Sequence, residues 1–168
     1  MPAPLRNALP IAIATALAVI ALDQLTKYLV VVAMNLRETG EIAVFPGLTF
    51  RMAWNTGVNF GILSGDTGIT RWLLAGFSTI IAGVLVFAAR RSRRLLTVLG
   101  LGIAAGGAVG NVIDRFTWGA VADFLNVTCC GFRNPWSFNL ADIAIFAGFG
   151  LLLLPARRNP PGLPDPSS

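Results

Sequence analysis

Residues 95–115 read LLTVLGLGIAAGGAVGNVIDR, and none of the nineteen positions before Asp114 carries a charge. A helix that crosses the hydrocarbon of a bilayer needs about 20 mostly apolar residues, and 95–113 meets that requirement. Gly102, Gly106 and Gly110 recur within it every four residues. That spacing lines up three positions without side chains on one helical face, where a neighbouring helix can approach closely. Gly100-Leu101-Gly102 followed by Ala105 matches a loose dinucleotide fingerprint, but no strand precedes it and the run is uncharged, so that reading is set aside.

The same signature recurs on both sides. Residues 72–89 carry no charge, 136–154 carry only Asp142, and 8–34 are apolar except for Asp23 and Lys27. Arg6 gives the first run the outline of a signal peptide. Apolar residues resume at Tyr28 and continue to Met34, however, so an uncleaved helix is expected. Only 12% of the 168 residues are charged, about half the usual share of a soluble domain. The net charge of +5 would suit nucleic acid if it formed a basic face, but the arginines lie in the gaps between apolar runs, and no nucleic-acid partner is expected. Arg90, Arg91, Arg93 and Arg94 separate the second and third runs, Arg157 and Arg158 follow the fourth, and Arg6 precedes the first. By the positive-inside rule these places are cytoplasmic. The expectation is an α-helical membrane protein of four spans, with both termini inside and segments 35–71 and 114–135 on the outer face. Residues 1–158 would form one membrane-embedded domain, and 159–168, with four prolines, a disordered tail.

In the first outer segment Leu48, Phe50, Met52 and Trp54 alternate with Thr49, Arg51 and Ala53, the period of a half-buried strand. Pro46-Gly47 turns the chain between it and a shorter strand at 42–45, so a small outer β-sheet is expected between the first two spans, resting on lipid or on the helices.

The chain has no histidine, which excludes Ser-His-Asp and Cys-His catalysis and the usual zinc sites. No metal or cofactor is expected. Of the eight acids, Glu38, Glu41, Asp66 and Asp165 lie in polar segments, whereas Asp23, Asp114, Asp123 and Asp142 each lie in or beside an apolar run. An ionisable group at membrane depth is costly and marks a functional site by default. Asp23 precedes Lys27 by four residues, the spacing of an ion pair on one helix, which favours a structural role over catalysis. Asp114-Arg115, with Asn111 one turn earlier, reads either as a polar helix end or as a substrate clamp. Asp123 and Asp142 have no basic residue within four positions, and Asn139 is one turn before Asp142. Two such carboxyls brought together cannot both ionise, so one can deprotonate a water while the other hydrogen-bonds a scissile carbonyl. Helix caps, or a carboxylate relay in a small channel or proton-coupled transporter, remain the alternatives.

Five short motifs, in order, resemble those of signal peptidase II, the lipoprotein signal peptidase family of bacterial membrane aspartic endopeptidases. They are Asp23-Gln24-x-x-Lys27, Asn55-Thr56-Gly57-x-x-Phe60, Gly106-Gly107-x-x-Gly110-Asn111-x-x-Asp114-Arg115, Val121-x-Asp123-Phe124 and Phe138-Asn139-x-Ala141-Asp142. The resemblance covers residues from about 15 to 155. It implies that Asp123 and Asp142 are the catalytic pair. Asn111, Asp114, Arg115 and Asn139 would shape the polar site and hold substrate, Asn55 and Gly57 would belong to an outer loop over it, and Asp23 and Lys27 would support the first helix. The implied substrate is a prolipoprotein whose Cys carries a diacylglyceryl group, cut just before that Cys at the outer face of the inner membrane. Membrane lipid is the other partner, globomycin the implied inhibitor, and a monomer the expected state. Val58-Asn59 stand where the family's loop motif has small residues, Pro135-Trp136 reverses the more familiar order, and Cys129-Cys130, read as small apolar fillers, have no family role.

Overall fold

The computed structural model describes residues 5–57, 67–128 and 134–155. Helix α1 (Ala8–Lys27) continues directly into a π-helical stretch, Tyr28–Ala33, and a single turn α2 (Leu36–Thr39) leads into the hairpin β1 (Glu41–Phe45) and β2 (Leu48–Asn55). Two long helices, α3 (Thr67–Ala89) and α4 (Leu95–Thr117), are followed by β3 (Val121–Val127) and α5 (Leu140–Leu153).

Helix α4 is the centre, packed against α1, α3 and α5. Its small residues explain how. A Cβ on Gly102 would lie 2.7 Å from the Ala12 carbonyl oxygen and one on Gly106 2.7 Å from that of Ala16, so the glycine face read from the sequence is the seat of α1. On the other side a Cβ on Gly148 of α5 would meet the Gly100 carbonyl at 2.6 Å. Gly106→Val should therefore push α1 off α4, at a cost of about 1–3 kcal/mol for an overpacked interface. A lowered thermal-unfolding midpoint in detergent would show it, and an unchanged midpoint would contradict the packing.

The outward faces are as apolar as the inward ones: Leu17, Phe77, Ile80, Phe146 and Leu153 are all exposed. A helix apolar all round belongs in a lipid solvent or a large core. Residues 8–33, 68–89 and 95–117 are each long and apolar enough to cross a membrane. The run at 136–154 differs from expectation. Its helix begins only at Leu140, spans 14 residues and so rises about 21 Å, short of a hydrocarbon core of about 30 Å. The reason is that Phe138 pairs with Leu125 as an isolated bridge and Asn139 caps the helix from an extended conformation. The second helix starts at Thr67 rather than residue 72, and the third runs on to Thr117, carrying Asp114 and Arg115 inside it.

The sheet has the order β1-β2-β3, antiparallel throughout. The hairpin forms where the alternation and the Pro46-Gly47 turn place it, whereas β3 is a third strand that the sequence pattern does not predict. Strand β2 bulges: Arg51 and Met52 together oppose Phe124, between the pairs Phe50↔Leu125 and Ala53↔Asp123. Val30 and Val31 of the π-helical stretch, Leu36, Ala122 and Phe124 form a buried cluster, joined by Ile42, Phe50 and Met52. The sheet thus rests on the helices. Residues 58–60 of the outer-loop motif, Cys129-Cys130 and the tail at 159–168 lie outside the described residues.

Candidate active site

The four acids of the apolar runs converge at the end of the helix bundle beneath the sheet. Asp23, Lys27 and Asp114 are fully buried, and the Lys27 ammonium lies 2.7 Å from a carboxylate oxygen of each acid. The i,i+4 spacing that predicts the first of these pairs gives no sign of the second. A Cβ on Gly110 would stand 2.5 Å from Asp23 Oδ2, so the glycine makes room for the ion pair. Gln24, unassigned from the sequence although it is polar within an apolar run, donates from Nε2 to Asp23 Oδ2 at 3.1 Å and to Asp114 Oδ1 at 3.0 Å.

The free ends of this cluster grip backbone. The Ala141 N–H donates to Asp23 Oδ1 at 3.0 Å, and the Ala122 N–H donates to Asp114 Oδ2 at 3.2 Å. Each alanine immediately precedes one of the two remaining acids, Asp142 and Asp123. One buried cation therefore ties together the two carboxylates that fix the backbone beside both.

Asp123 comes from β3 and Asp142 from the first turn of α5, and Asn139 joins them. Its Nδ2 donates to Asp123 Oδ1 at 2.7 Å and to Asn111 Oδ1 at 3.1 Å, while its Oδ1 accepts the Asp142 N–H at 2.9 Å. Asp142 Oδ2 accepts the Asn139 N–H in return at 3.2 Å, which completes a capping box. Asn111 Nδ2 donates to Asp142 Oδ1 at 2.9 Å, and its oxygen faces Lys27 Nζ at 3.4 Å. Asn55 Nδ2 donates to Asp123 Oδ2 at 3.1 Å. Asn55 in turn accepts the Gly57 N–H at 2.9 Å, a turn in which Gly57 has φ +86° and any Cβ would strike Leu74 of α3. Arg115 donates to the Asn111 carbonyl at 3.0 Å, and its charge acts on Asp114, Asp123 and Asp142.

Of the sequence-predicted residues, Asn55, Asn111 and Asn139 contact the two acids directly, Arg115 lies beside them, and Asp114 is buried behind β3 on Lys27. Among the described residues no group of three or more His, Cys, Asp or Glu could hold a metal ion. Burial, and then the neighbouring Asp142 charge, push the Asp123 carboxyl up to about 7. One carboxyl that keeps its proton near neutrality, beside another, is the equipment of general acid and base catalysis. A cavity of about 240 Å³ opens onto Asp123 between residues 53–56 of the β2 end and Pro135, Trp136 and Ser137. An apolar groove of Phe138, Ile143, Phe146 and Ala147 reaches Asp142 from the side of α5.

The family model described as signal peptidase (SPase) II matches residues 15–157. The lipoprotein signal peptidase of Methylorubrum extorquens (strain PA1) is 40% identical over 153 residues, covering 89% of this chain and 86% of its own. That of Rhodopseudomonas palustris (strain ATCC BAA-98 / CGA009) is 37% identical over 150 residues, covering 84% and 92%. A bacterial membrane enzyme solved by the in meso method at 1.9 Å resolution superposes with a TM-score of 0.71 at 29% identity, over 84% of this chain and 89% of that one.

Proposed function

The chain belongs to the signal peptidase II family, and we propose that Asp123 and Asp142 are the pair with which it cleaves, at the outer face of the membrane. It is a peptidase of the bacterial inner membrane, crosses it more than once, and removes signal peptides from lipoproteins. Family membership sets aside the channel or transporter alternative. The observation that carries the catalytic assignment is the bridge through Asn139, whose side-chain amide donates to the Asp123 carboxyl and whose backbone N–H donates to the Asp142 carboxyl, so that two separate elements share one hydrogen-bond network.

In the proposed reaction Asp142, ionised, takes a proton from a water molecule. The resulting nucleophile attacks the carbonyl carbon of the residue before the diacylglyceryl-Cys. Asp123, protonated, hydrogen-bonds the carbonyl oxygen as charge develops on it. The proton on Asp142 then passes to the leaving amine as the C–N bond breaks. The products are the free signal peptide and a lipoprotein beginning at its lipidated Cys.

The depth of the site follows from α5 as the fourth crossing. At one end of the bundle Leu5 N donates to the Ser92 carbonyl, and Arg94 donates to the Leu154 and Pro155 carbonyls at 3.5 and 3.0 Å. Leu5, the arginine turn and the end of α5 thus lie together, which supports both termini being cytoplasmic, with the sheet outside and the dyad at the outer end of the bundle. Because α5 rises only about 21 Å from that end, Asp142 is sunk below the outer hydrocarbon boundary rather than above it. A lipid-anchored substrate reaches such a site without leaving the bilayer. The enzyme acts as a monomer, with lipid covering its apolar flanks and globomycin competing for the site.

Incubation with a diacylglyceryl-modified prolipoprotein tests the proposal. A cut just before the lipidated Cys, blocked by globomycin, is expected. The rate should fall on the alkaline side as pH rises through about 7, because Asp123 must keep its proton. The sign for stability agrees: a carboxyl raised from 3.8 to about 7 costs the fold stability as pH rises across that window. A rate still climbing above pH 8 would contradict the role given to Asp123.

A further inference from the structure

The bulge in β2 turns Arg51 toward the segment that leads into α5, the kind of re-aiming that bulges perform. Its Nη2 donates to the carbonyls of Asn134 at 3.1 Å and Pro135 at 2.7 Å, and its own carbonyl accepts Ser137 Oγ at 3.0 Å. Asn126 of β3, buried, adds bonds from Nδ2 to the carbonyls of Asn134 at 3.0 Å and Trp136 at 2.8 Å. Three consecutive carbonyls of residues 134–136 are thereby held by two side chains of the sheet. The strap has no ladder of its own before Phe138 meets Leu125. It is also one wall of the cavity above Asp123, facing residues 53–56 of the β2 end.

We infer that Arg51 is a positioning residue for substrate binding: through the strap 134–137 it fixes the wall against which an extended peptide lies while its scissile carbonyl meets Asp123. The inference rests on the dyad reading above and adds the far side of the cleft to it. The slot between two extended chain segments, with a carboxyl at its floor, suits a peptide backbone rather than a compact ligand. Arg51 does not hold the acids themselves. Asn139 and Asp142 keep each other through the capping box, and Asn111 and Asp123 hold Asn139 independently of the strap. Losing Arg51 therefore loosens the wall and leaves the catalytic groups in place.

Steady-state cleavage of a diacylglyceryl-modified prolipoprotein in lipid-supplemented detergent tests this. Arg51→Gln should raise KM about three- to tenfold, the scale of two charged hydrogen bonds discounted for partial exposure, with kcat within about twofold of wild type. Arg51→Lys, which keeps a charged donor, should recover much of the loss, and the alkaline limb of the pH profile should not move. A fall in kcat at unchanged KM would overturn the inference, and so would kinetics identical to wild type. Asp142→Asn assayed alongside separates the two readings: if it cleaves, the dyad assignment fails whatever Arg51 does, and if it is inert while Arg51→Gln matches wild type, only the role of Arg51 falls.

Discussion

Asp142→Asn should reduce cleavage by on the order of 10³-fold or more while the protein remains folded and membrane-inserted. In the proposed reaction this side chain takes the proton from water, and an amide cannot do so at any working pH. The substitution nearly preserves shape. An Asn oxygen at 142 can still accept from either Asn111 Nδ2 or the Asn139 N–H, so the capping box weakens without being abolished. Loss of one such bond costs about 1 kcal/mol, too little to unfold the bundle. Asp123→Asn should be as inactive for a different reason. Both oxygens of Asp123 accept amide hydrogens, one from Asn55 and one from Asn139. An amide at 123 must turn its own NH₂ toward one of those donors, so it loses both the carboxyl O–H that meets the scissile carbonyl and one of the bonds that orient it. Gel-filtration profile and circular dichroism should match wild type for both variants. Turnover within about tenfold of wild type by either one would remove the dyad.

The parts of this molecule that are legible in the sequence are those where a local cost has a local sign. A carboxylate in an apolar run is expensive wherever the run folds, so Asp23, Asp114, Asp123 and Asp142 stand out from residue order alone. Glycines four apart define a helical face, and that face receives α1. Strand β3 gives no such sign. Val121–Phe124 are buried on both faces, so Val121, Ala122, Phe124 and Leu125 do not alternate with polar residues, and the partner of β3 in β2 lies more than sixty positions earlier. The start of α5 is blurred instead, because Trp136 and Phe138 are as apolar in an extended strap as in a helix, and only the Asn139–Asp142 spacing carries the sign of a cap. The coupling of Lys27 to both halves of the site is beyond reach as well. It runs through the backbone N–H groups of Ala122 and Ala141, which every residue but proline possesses and no side chain advertises.

That coupling leads to the second large effect: Lys27→Met should leave little folded protein. Methionine nearly matches the lysine stem in length, so no large cavity opens, and what disappears is the ammonium between Asp23 and Asp114. Two carboxylates then face one another in an interior from which water is excluded. Removing one partner of a buried ion pair typically costs about 3–5 kcal/mol, and here a single cation serves two anions. The bonds from Ala141, Ala122 and Gln24 soften the loss without supplying a charge. The triple variant Asp23→Asn, Lys27→Met, Asp114→Asn separates charge from scaffold. Its amide oxygens can still accept the two alanine N–H groups, so it should recover much of the thermal midpoint lost in Lys27→Met and retain measurable cleavage. Such recovery is the non-additivity expected of groups that act as one unit. A Lys27→Met protein that unfolds at the wild-type midpoint would mean that the cluster does not hold the two acids in place. A triple variant no better than Lys27→Met would mean that the ammonium itself, rather than relief of unpaired charge, is what the fold requires.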